Sequence, residues 1–199
     1  MNLVIIDTNC ANLTSVKFAI ERLGINPIIS DNADTILSAD KLILPGVGTA
    51  DFAMNEIKNK NLIEVIRQVK KPLLGICLGM QLLGSYSEEG KDNKIQTLNI
   101  INAPTQKLNT QLPLPHMGWN QLSILDKNHP LFYGIDEGEF VYFVHSYRMP
   151  VGDNTLATCD YGEKFSAIIG KDNFFGMQFH PEKSGKVGEK LLKNFVENI

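Results

Sequence analysis

Through about residue 84, hydrophobic and polar positions follow two alternating patterns. Short apolar runs are typical of strands buried on both faces of a parallel sheet, and they occur at 3–6, 27–30, 41–45 and 72–76. Between these runs, apolar residues at helical spacing predict helices over 13–23, 31–40 and 61–69, with Gly24 closing the first. This alternation of strand and helix predicts a parallel sheet covered by helices on both faces.

The predicted helix over 61–69 has a recognisable start. Asn61 is followed three residues later by Glu64, an arrangement in which the two side chains each accept a bond from the other's backbone N–H. We therefore expect Asn61 and Glu64 to form a capping box.

After residue 84 the pattern changes, because prolines and turns become frequent. Short β-type runs follow, and the run "FSAIIG" is joined to "NFFGMQFH" by "KDN", which predicts a hairpin. The chain ends in an amphipathic helix, and no linker is evident. We predict one α/β domain over 1–199, with a central, mostly parallel sheet flanked by helices and antiparallel strands added to it.

Composition and charge narrow the class of protein. The net charge is −3 without a basic stripe, so neither nucleic acid nor a membrane surface is an expected partner. No apolar run approaches the roughly 20 residues of a membrane span, and "MNLVIID" is a predicted first strand and not a signal peptide. The odd count of cysteines argues against disulfides and zinc and fits the cytoplasm. We expect no metal and no cofactor.

The segment "LGICLGM" carries the first candidate for chemistry. A strand that enters a helix through Gly75-Ile-Cys77-Leu-Gly79 has the pattern of a nucleophile elbow. The helix N-terminus would favour the thiolate of Cys77, and the Leu78 N–H would face the reacting carbon. Gln81 lies one helical turn beyond the thiol. A small buried hydrophobe is the alternative, since most free cysteines are buried in this way.

A base for this thiol is predicted at His180. It ends a β-type run and is followed by Pro181 and Glu182, whose carboxylate would lie on the same side as the imidazole if the chain stays extended. A surface turn is the usual meaning of His-Pro-Glu alone. Together with the Cys77 elbow, a Cys-His-Glu triad is the better explanation. His116, His129 and His145 are more typical of structural or surface histidines.

A second glycine loop follows the run at 41–45. Gly46-Val47-Gly48 would lie at the carboxyl edge of the sheet, where its backbone N–H groups could reach the active crevice. It is not a phosphate loop, because no Gly-Lys-Ser/Thr follows. An ordinary strand-to-helix turn is the alternative.

Three segments together resemble the triad-type (class I) glutamine amidotransferases: "PGVG" (45–48), "GICLGMQLL" (75–83) and "FHPEKS" (179–184). The resemblance covers nearly the whole chain and implies the flavodoxin-like α/β fold of that family. "PHMGWN" (115–120) and "FVHSY" (143–147) are similar to the branch of the family whose members supply ammonia to imidazole glycerol phosphate synthesis.

The resemblance implies a role for each matching residue. Cys77 would attack the side-chain amide of glutamine, form a glutamyl thioester and release ammonia, while His180 and Glu182 handle the protons. Backbone amides of Val47, Gly48 and Leu78 would form the oxyanion hole. The glutamine would be held by Gly46, Gln81, His145, Ser146 and Tyr147.

The resemblance also implies a partner. Members of this branch form a heterodimer with a synthase subunit that is a (βα)₈ barrel, and they pass ammonia to it through a tunnel. The barrel makes imidazole glycerol phosphate and aminoimidazole carboxamide ribotide, in histidine biosynthesis. The docking face would include Asn12, Trp119 and Lys183, with Trp119 in a Pro/Gly-flanked loop. One departure is the first loop, "DTNCAN", where Cys10 and Ala11 replace more flexible positions.

Three alternatives stay open at this stage. A free-standing amidase or peptidase of the same fold would turn over without a partner. The glutaminase of another synthase is a second enzyme alternative, which "PHMGWN" disfavours. A binding module that had lost catalysis would carry an inert Cys77. If the partner controls the reaction, glycines permit a peptide flip, and the 46–48 loop is the expected moving part.

Overall fold

The predicted strands and helices up to residue 84 are present, and the structure adds a helix over Ala50–Asn59 that the sequence pattern did not predict. The computed structural model describes residues 1–90 and 94–199. The helices are α1 (Leu13–Glu21), α2 (Ala33–Leu37), α3 (Ala50–Asn59), α4 (Ile63–Gln68), α5 (Leu78–Leu82) and α6 (Gly185–Asn198). The strands are β1 (Leu3–Ile6), β2 (Ile28–Ser30), β3 (Lys41–Gly46), β4 (Leu73–Cys77), β5 (Tyr86–Ser87), β6 (Ile95–Gln96), β7 (Gln106–Lys107), β8 (His116–Gln121), β9 (Ser123–Ile124), β10 (Phe140–His145), β11 (Tyr147–Arg148), β12 (Thr155–Asp160), β13 (Lys164–Lys171) and β14 (Phe174–Met177).

The main sheet is mixed, with its parallel part first. Its strand order is β2-β1-β3-β4-β14-β13-β12-β9. The first five strands in this order are parallel, and β13, β12 and β9 continue the sheet in antiparallel fashion. The predicted hairpin is present between β13 and β14. The predicted fold class, a mostly parallel sheet with added antiparallel strands, is confirmed.

Both faces of the parallel strands are buried, which explains their unbroken apolar runs. In β1, Leu3 and Ile5 pack into the core on one face together with Phe195 of α6. Val4 and Ile6 pack into the core on the other face, with Ile66 of α4. Because successive side chains point to opposite faces, a strand covered on both faces needs apolar residues at every position.

The capping box predicted for Asn61 and Glu64 is wrong. The residue that caps α4 is Leu62, without a side-chain hydrogen bond. Asn61 has a φ of 58° and closes the preceding helix, since its N–H donates to Lys58 O and the Leu62 N–H donates to Ile57 O. This is a left-handed helix ending, in which asparagine is a tolerated substitute for glycine.

Trp119 lies in a strand and not in the loop that the surrounding proline and glycine suggested. It belongs to β8, which pairs with β10 as a separate antiparallel ribbon, Trp119 opposite Tyr142. One face of the ribbon packs on the core through Val141 and Phe143, while Trp119 is 55% exposed. The ribbon brings β10 alongside the carboxyl end of β4.

Across the described parts of the chain, 1–90 and 94–199, every helix is too short or too polar to cross a membrane.

Candidate active site

Cys77 lies at the turn between β4 and α5. Its backbone has φ 53° and ψ −109°, a conformation that is rare for a residue with a side chain. α5 begins at the next residue, Leu78. Strand, strained cysteine and helix therefore follow one another as the elbow pattern predicts.

The glycines around the elbow are needed because three backbone segments meet there. A Cβ at Gly75 would lie 2.6 Å from the Gly79 carbonyl oxygen, and one at Gly79 would collide with the Leu44 carbonyl of β3. A Cβ at Gly46 would lie 2.8 Å from the Gly79 nitrogen. The close approach of β3, β4 and α5 thus depends on these glycines.

His180 and Glu182 form the predicted pair, although by a different route. The chain does not stay extended after β14, because Pro181–Lys183 form a short 3₁₀ helix. The His180 Nδ1 lies 2.8 Å from Glu182 Oε1, and both side chains are buried. Because a carboxylate accepts, Nδ1 carries the proton and Nε2 is left for the cavity. The His180 backbone is held by its N–H bond to Tyr142 O at 2.9 Å.

His180 is poised to be charged. Burial lowers its pKa, but hydrogen bonds and charge interactions with Cys77 and Glu182 outweigh burial and raise the pKa to about 10. The imidazole therefore favours its protonated form beside the Cys77 sulfur. Both groups line the same cavity, and an imidazolium beside a thiol is the arrangement that activates a thiol nucleophile.

The elbow opens into a cavity of about 400 Å³. It brings together ten of the residues singled out from the sequence: Val47, Gly48, Cys77, Leu78, Gln81, His145, Ser146, Tyr147, His180 and Lys183. Four predicted residues lie outside this cavity. Gly46, Glu182 and Asn12 line a smaller cavity, which shares His180, Val47 and Lys183 with the first one. Trp119 is on the neighbouring ribbon.

Glu89 is a lining residue that sequence reasoning missed. It accepts a hydrogen bond from the Ala50 N–H at 3.1 Å, and burial raises its pKa. It is the only carboxylate among the described residues that line the 400 Å³ cavity. Its position in "SEEG" gave no periodic signal, because a loop after α5 carries it back to the cavity mouth.

Gln178 is a second missed residue. It is fully buried, and its side chain contacts both Gln81 and Cys77. A polar residue in the otherwise apolar "FFGMQF" was the available signal, since buried amides are retained only where they are hydrogen-bonded.

The Gly46–Gly48 loop is held by the first loop. The Val47 N–H donates to the Cys10 carbonyl at 2.6 Å. In this conformation that N–H is occupied and does not serve an oxyanion. Gly48 has a φ of 90°, a conformation that glycine adopts readily, and glycine likewise permits other backbone conformations at this position.

The part of the chain that the structure describes contains no metal-binding cluster. No group of three or more His, Cys, Asp or Glu side chains is placed to hold an ion there.

Comparisons with known proteins agree with this geometry. The family model described as "Glutamine amidotransferase class-I" matches residues 4–199. The chain is 56% identical over 198 residues to "Imidazole glycerol phosphate synthase subunit HisH" of Pectobacterium atrosepticum, and 58% identical over 198 residues to the protein of that name from Blochmanniella pennsylvanica. Each alignment covers 99% of this chain and 100% of the relative.

Solved structures resemble the fold at low identity. A glutamine amidotransferase from Thermotoga maritima has a TM-score of 0.66 at 14% identity, over 100% of this chain and 83% of that one. The glutaminase domain of Trypanosoma brucei CTPS with bound acivicin has a TM-score of 0.67 at 15% identity, over 99% of this chain and 94% of that one. These likenesses show the fold alone.

The elbow, the buried His-Glu pair and the matched family model define the class: the chain belongs to the class I glutamine amidotransferases. Within that class it belongs to the family of imidazole glycerol phosphate synthase HisH subunits. The resemblance inferred from the motifs is therefore confirmed, both for the amidotransferase class and for the narrower HisH family.

Proposed function

We propose that Cys77, His180 and Glu182 carry out the glutaminase reaction of this family. The Cys77 sulfur attacks the side-chain amide carbon of glutamine, and a tetrahedral intermediate forms. His180 Nε2 donates a proton to the leaving nitrogen, so ammonia departs and a γ-glutamyl thioester remains. Water then attacks the thioester while His180 accepts its proton, and glutamate leaves.

Glu182 supports these proton transfers without taking part in them directly. Its bond to Nδ1 keeps the other ring nitrogen directed at the reacting atoms, and its charge favours the imidazolium. The raised pKa of His180 is the expected consequence.

The cavity suits an amino-acid substrate. Its half-buried Glu89 carboxylate is a partner for the α-ammonium group of glutamine, while the thiol attacks the amide at the other end of that molecule. Gln81 uses its Nε2 within the protein, toward Tyr147 O and Gln178, which leaves its Oε1 as an acceptor for substrate. His145, Ser146 and Tyr147 line the wall opposite α5.

The oxyanion hole is proposed to be completed only on activation. Leu78 N–H at the start of α5 is the first donor. The backbone N–H groups of Val47 and Gly48 would supply the remaining donors after the Val47 N–H leaves Cys10 O. Such a rearrangement would couple ammonia release to the partner and its ligand.

The chain acts as the glutaminase subunit of imidazole glycerol phosphate synthase in histidine biosynthesis, and its partner is the cyclase subunit. We propose that the partner, a (βα)₈ barrel, docks on the face that holds exposed Trp119, Asn12 and Lys183 and receives the ammonia there. All three cysteines are free, buried thiols, which is consistent with the reducing environment of the cytoplasm, where we propose that the protein acts.

The observation that carries the proposed mechanism is the placement of Cys77 and His180 in one cavity, with Glu182 behind the imidazole and bonded to its Nδ1. It is tested by glutamate release from glutamine, for the chain alone and with the cyclase and its nucleotide ligand. Cys77→Ala should lower the stimulated rate by at least about a thousandfold. Substantial residual hydrolysis would remove Cys77 as nucleophile, and a fast rate that ignores the partner would favour a free-standing amidase.

A further inference from the structure

A chain of buried hydrogen bonds reaches the Cys77 sulfur through Gln178, and the sulfur also lies 3.8 Å from Val144 O, to which the thiol can donate. Gln178 is fully buried immediately after β14. Its Oε1 accepts from Gln81 Nε2 at 3.0 Å, and its Nε2 is directed at Cys77 Sγ at 3.9 Å. Gln178 therefore joins a substrate-facing side chain to the nucleophile.

One backbone carbonyl fixes the direction of this chain. Tyr147 O accepts from Gln81 Nε2 at 2.9 Å, and a carbonyl oxygen can only accept. The Gln81 amide is therefore oriented with its nitrogen toward Tyr147 and Gln178. Gln178 must then present oxygen to Gln81, which leaves its N–H groups for the sulfur.

The same carbonyl fixes two histidines on the other side. His145 Nδ1 lies 2.8 Å from Tyr147 O and must donate, so its Nε2 accepts from His116 Nδ1 at 2.9 Å. Asn120 Nδ2 approaches His116 Nε2 at 3.4 Å. Burial lowers the pKa of His116 to about 4 and that of His145 to about 3, so both rings stay neutral and keep these directions near neutral pH.

We propose that Gln178 is a positioning residue for the glutaminase reaction: its amide holds Gln81 with Oε1 toward the cavity and directs an N–H at the Cys77 sulfur. The N–H dipole favours thiolate over thiol, because it stabilises the negative charge. The strained elbow backbone gives the sulfur its place, and Gln178 gives it a donor in addition to the His180 imidazole. The kinetic part of this inference rests on the proposed glutaminase function.

The test compares two buried amides of similar size. Gln178→Met removes donor and acceptor beside the sulfur. Asn194→Leu does the same at an equally buried site in α6, where Asn194 donates to Leu131 O and Tyr133 O, outside the network. Iodoacetamide alkylation of Cys77 is followed against pH by mass spectrometry of the Cys77 peptide, and KM and kcat for glutamine are measured with the liganded partner.

Gln178→Met should move the alkylation midpoint upward by about one pH unit and raise KM, with kcat/KM falling about tenfold. Asn194→Leu should lower the melting temperature and leave the midpoint unchanged. A folded Gln178→Met chain with the wild-type midpoint and KM would overturn the proposal.

Gln178→Glu decides the matter if the methionine variant does not fold. It keeps an acceptor for Gln81 and replaces the donor by a carboxylate that repels the thiolate, so the midpoint should rise while KM stays near the wild-type value. An unmoved midpoint would overturn the proposal. Because alkylation needs no turnover, a wild-type chain without glutaminase activity would disprove the proposed function and still leave the contact of Gln178 with the sulfur measurable.

Discussion

The Val47 N–H donates to the Cys10 carbonyl oxygen across 2.6 Å, which ties the glycine loop after β3 to the first loop of the chain. The first loop is itself anchored, because Lys60 Nζ donates to Asp7 O at 2.9 Å and to Asn9 Oδ1 at 3.1 Å. A donor expected at the oxyanion is therefore held by a neighbouring loop that borders the proposed docking face.

The first prediction follows from this bond. Glutamate release by the isolated chain should be slow, and it should rise by at least about a hundredfold with the liganded cyclase subunit, the usual worth of one oxyanion donor. NMR hydrogen exchange of the Val47 amide reports the bond directly. The amide should be protected in the isolated chain and lose that protection in the activated complex.

Two results would contradict this account of control. One is activation by the partner while the hydrogen exchange of the Val47 amide stays unchanged, which would mean that another group controls the glutaminase rate. The other is full activity of the chain alone, which would mean that the Leu78 N–H suffices.

A second prediction separates the roles within the triad. Glu182→Gln should keep at least about ten times more activity than His180→Ala, because the carboxylate orients and stabilises the imidazole while the imidazole moves the proton. Stimulated glutamate release at saturating glutamine is the measurement. The reverse order of the two variants would argue against these roles.

A third prediction concerns pH. The pKa of His180 is raised from 6.5 to about 10, so the stability gained from its protonated form is fully present below pH 6.5 and is lost as pH rises toward 10. Glu182→Gln removes one cause of the shift. The difference in unfolding free energy between wild type and variant should therefore be largest at pH 6.5 and shrink toward pH 10 in urea titrations. A constant difference would mean that the carboxylate acts without regard to the charge on His180.

The parallel half of the fold and the placement of Cys77, His180 and Glu182 near one another could be predicted from the sequence, for a physical reason. Strands buried on both faces must be apolar throughout, and the elbow needs Gly75 and Gly79. Each of these features is therefore visible in a short stretch of the sequence. His180 and Glu182 are two residues apart, so their contact needed only a local turn, although the 3₁₀ helix replaced the extended chain that was expected.

Contacts between distant segments could not be predicted in this way. Glu89 reaches the cavity through a loop, and Gln178 meets Gln81 97 positions away. Asn61 was assigned to the wrong helix because its side chain is typical of both a helix start and a left-handed helix end. The bond from Val47 to Cys10 joins two backbone groups, which no side-chain pattern reports.

A fourth prediction tests the close approach at the elbow. Gly79→Ala should cost about 3 kcal/mol or more, because its Cβ would collide with the Leu44 carbonyl and the backbone there cannot move aside cheaply. Gly152→Ala is the matched control, since nothing lies within 4 Å of its Cβ position. Denaturant unfolding should show near wild-type stability for the control. Equal stability of the two variants would mean that β3 and α5 can separate without loss.

The last prediction concerns the partner face. Trp119 is 55% exposed and makes an edge contact with Tyr142, with ring centroids 5.9 Å apart. Trp119→Ala should change the melting temperature by no more than about 2 °C and weaken cyclase binding about thirtyfold, because an exposed tryptophan at an interface is a frequent hot spot. Leu125→Ala is the control, since Leu125 is 57% exposed beyond the edge strand β9. Calorimetric titration should give wild-type affinity for the control, and equal affinity for both variants would move the docking face away from the β8–β10 ribbon.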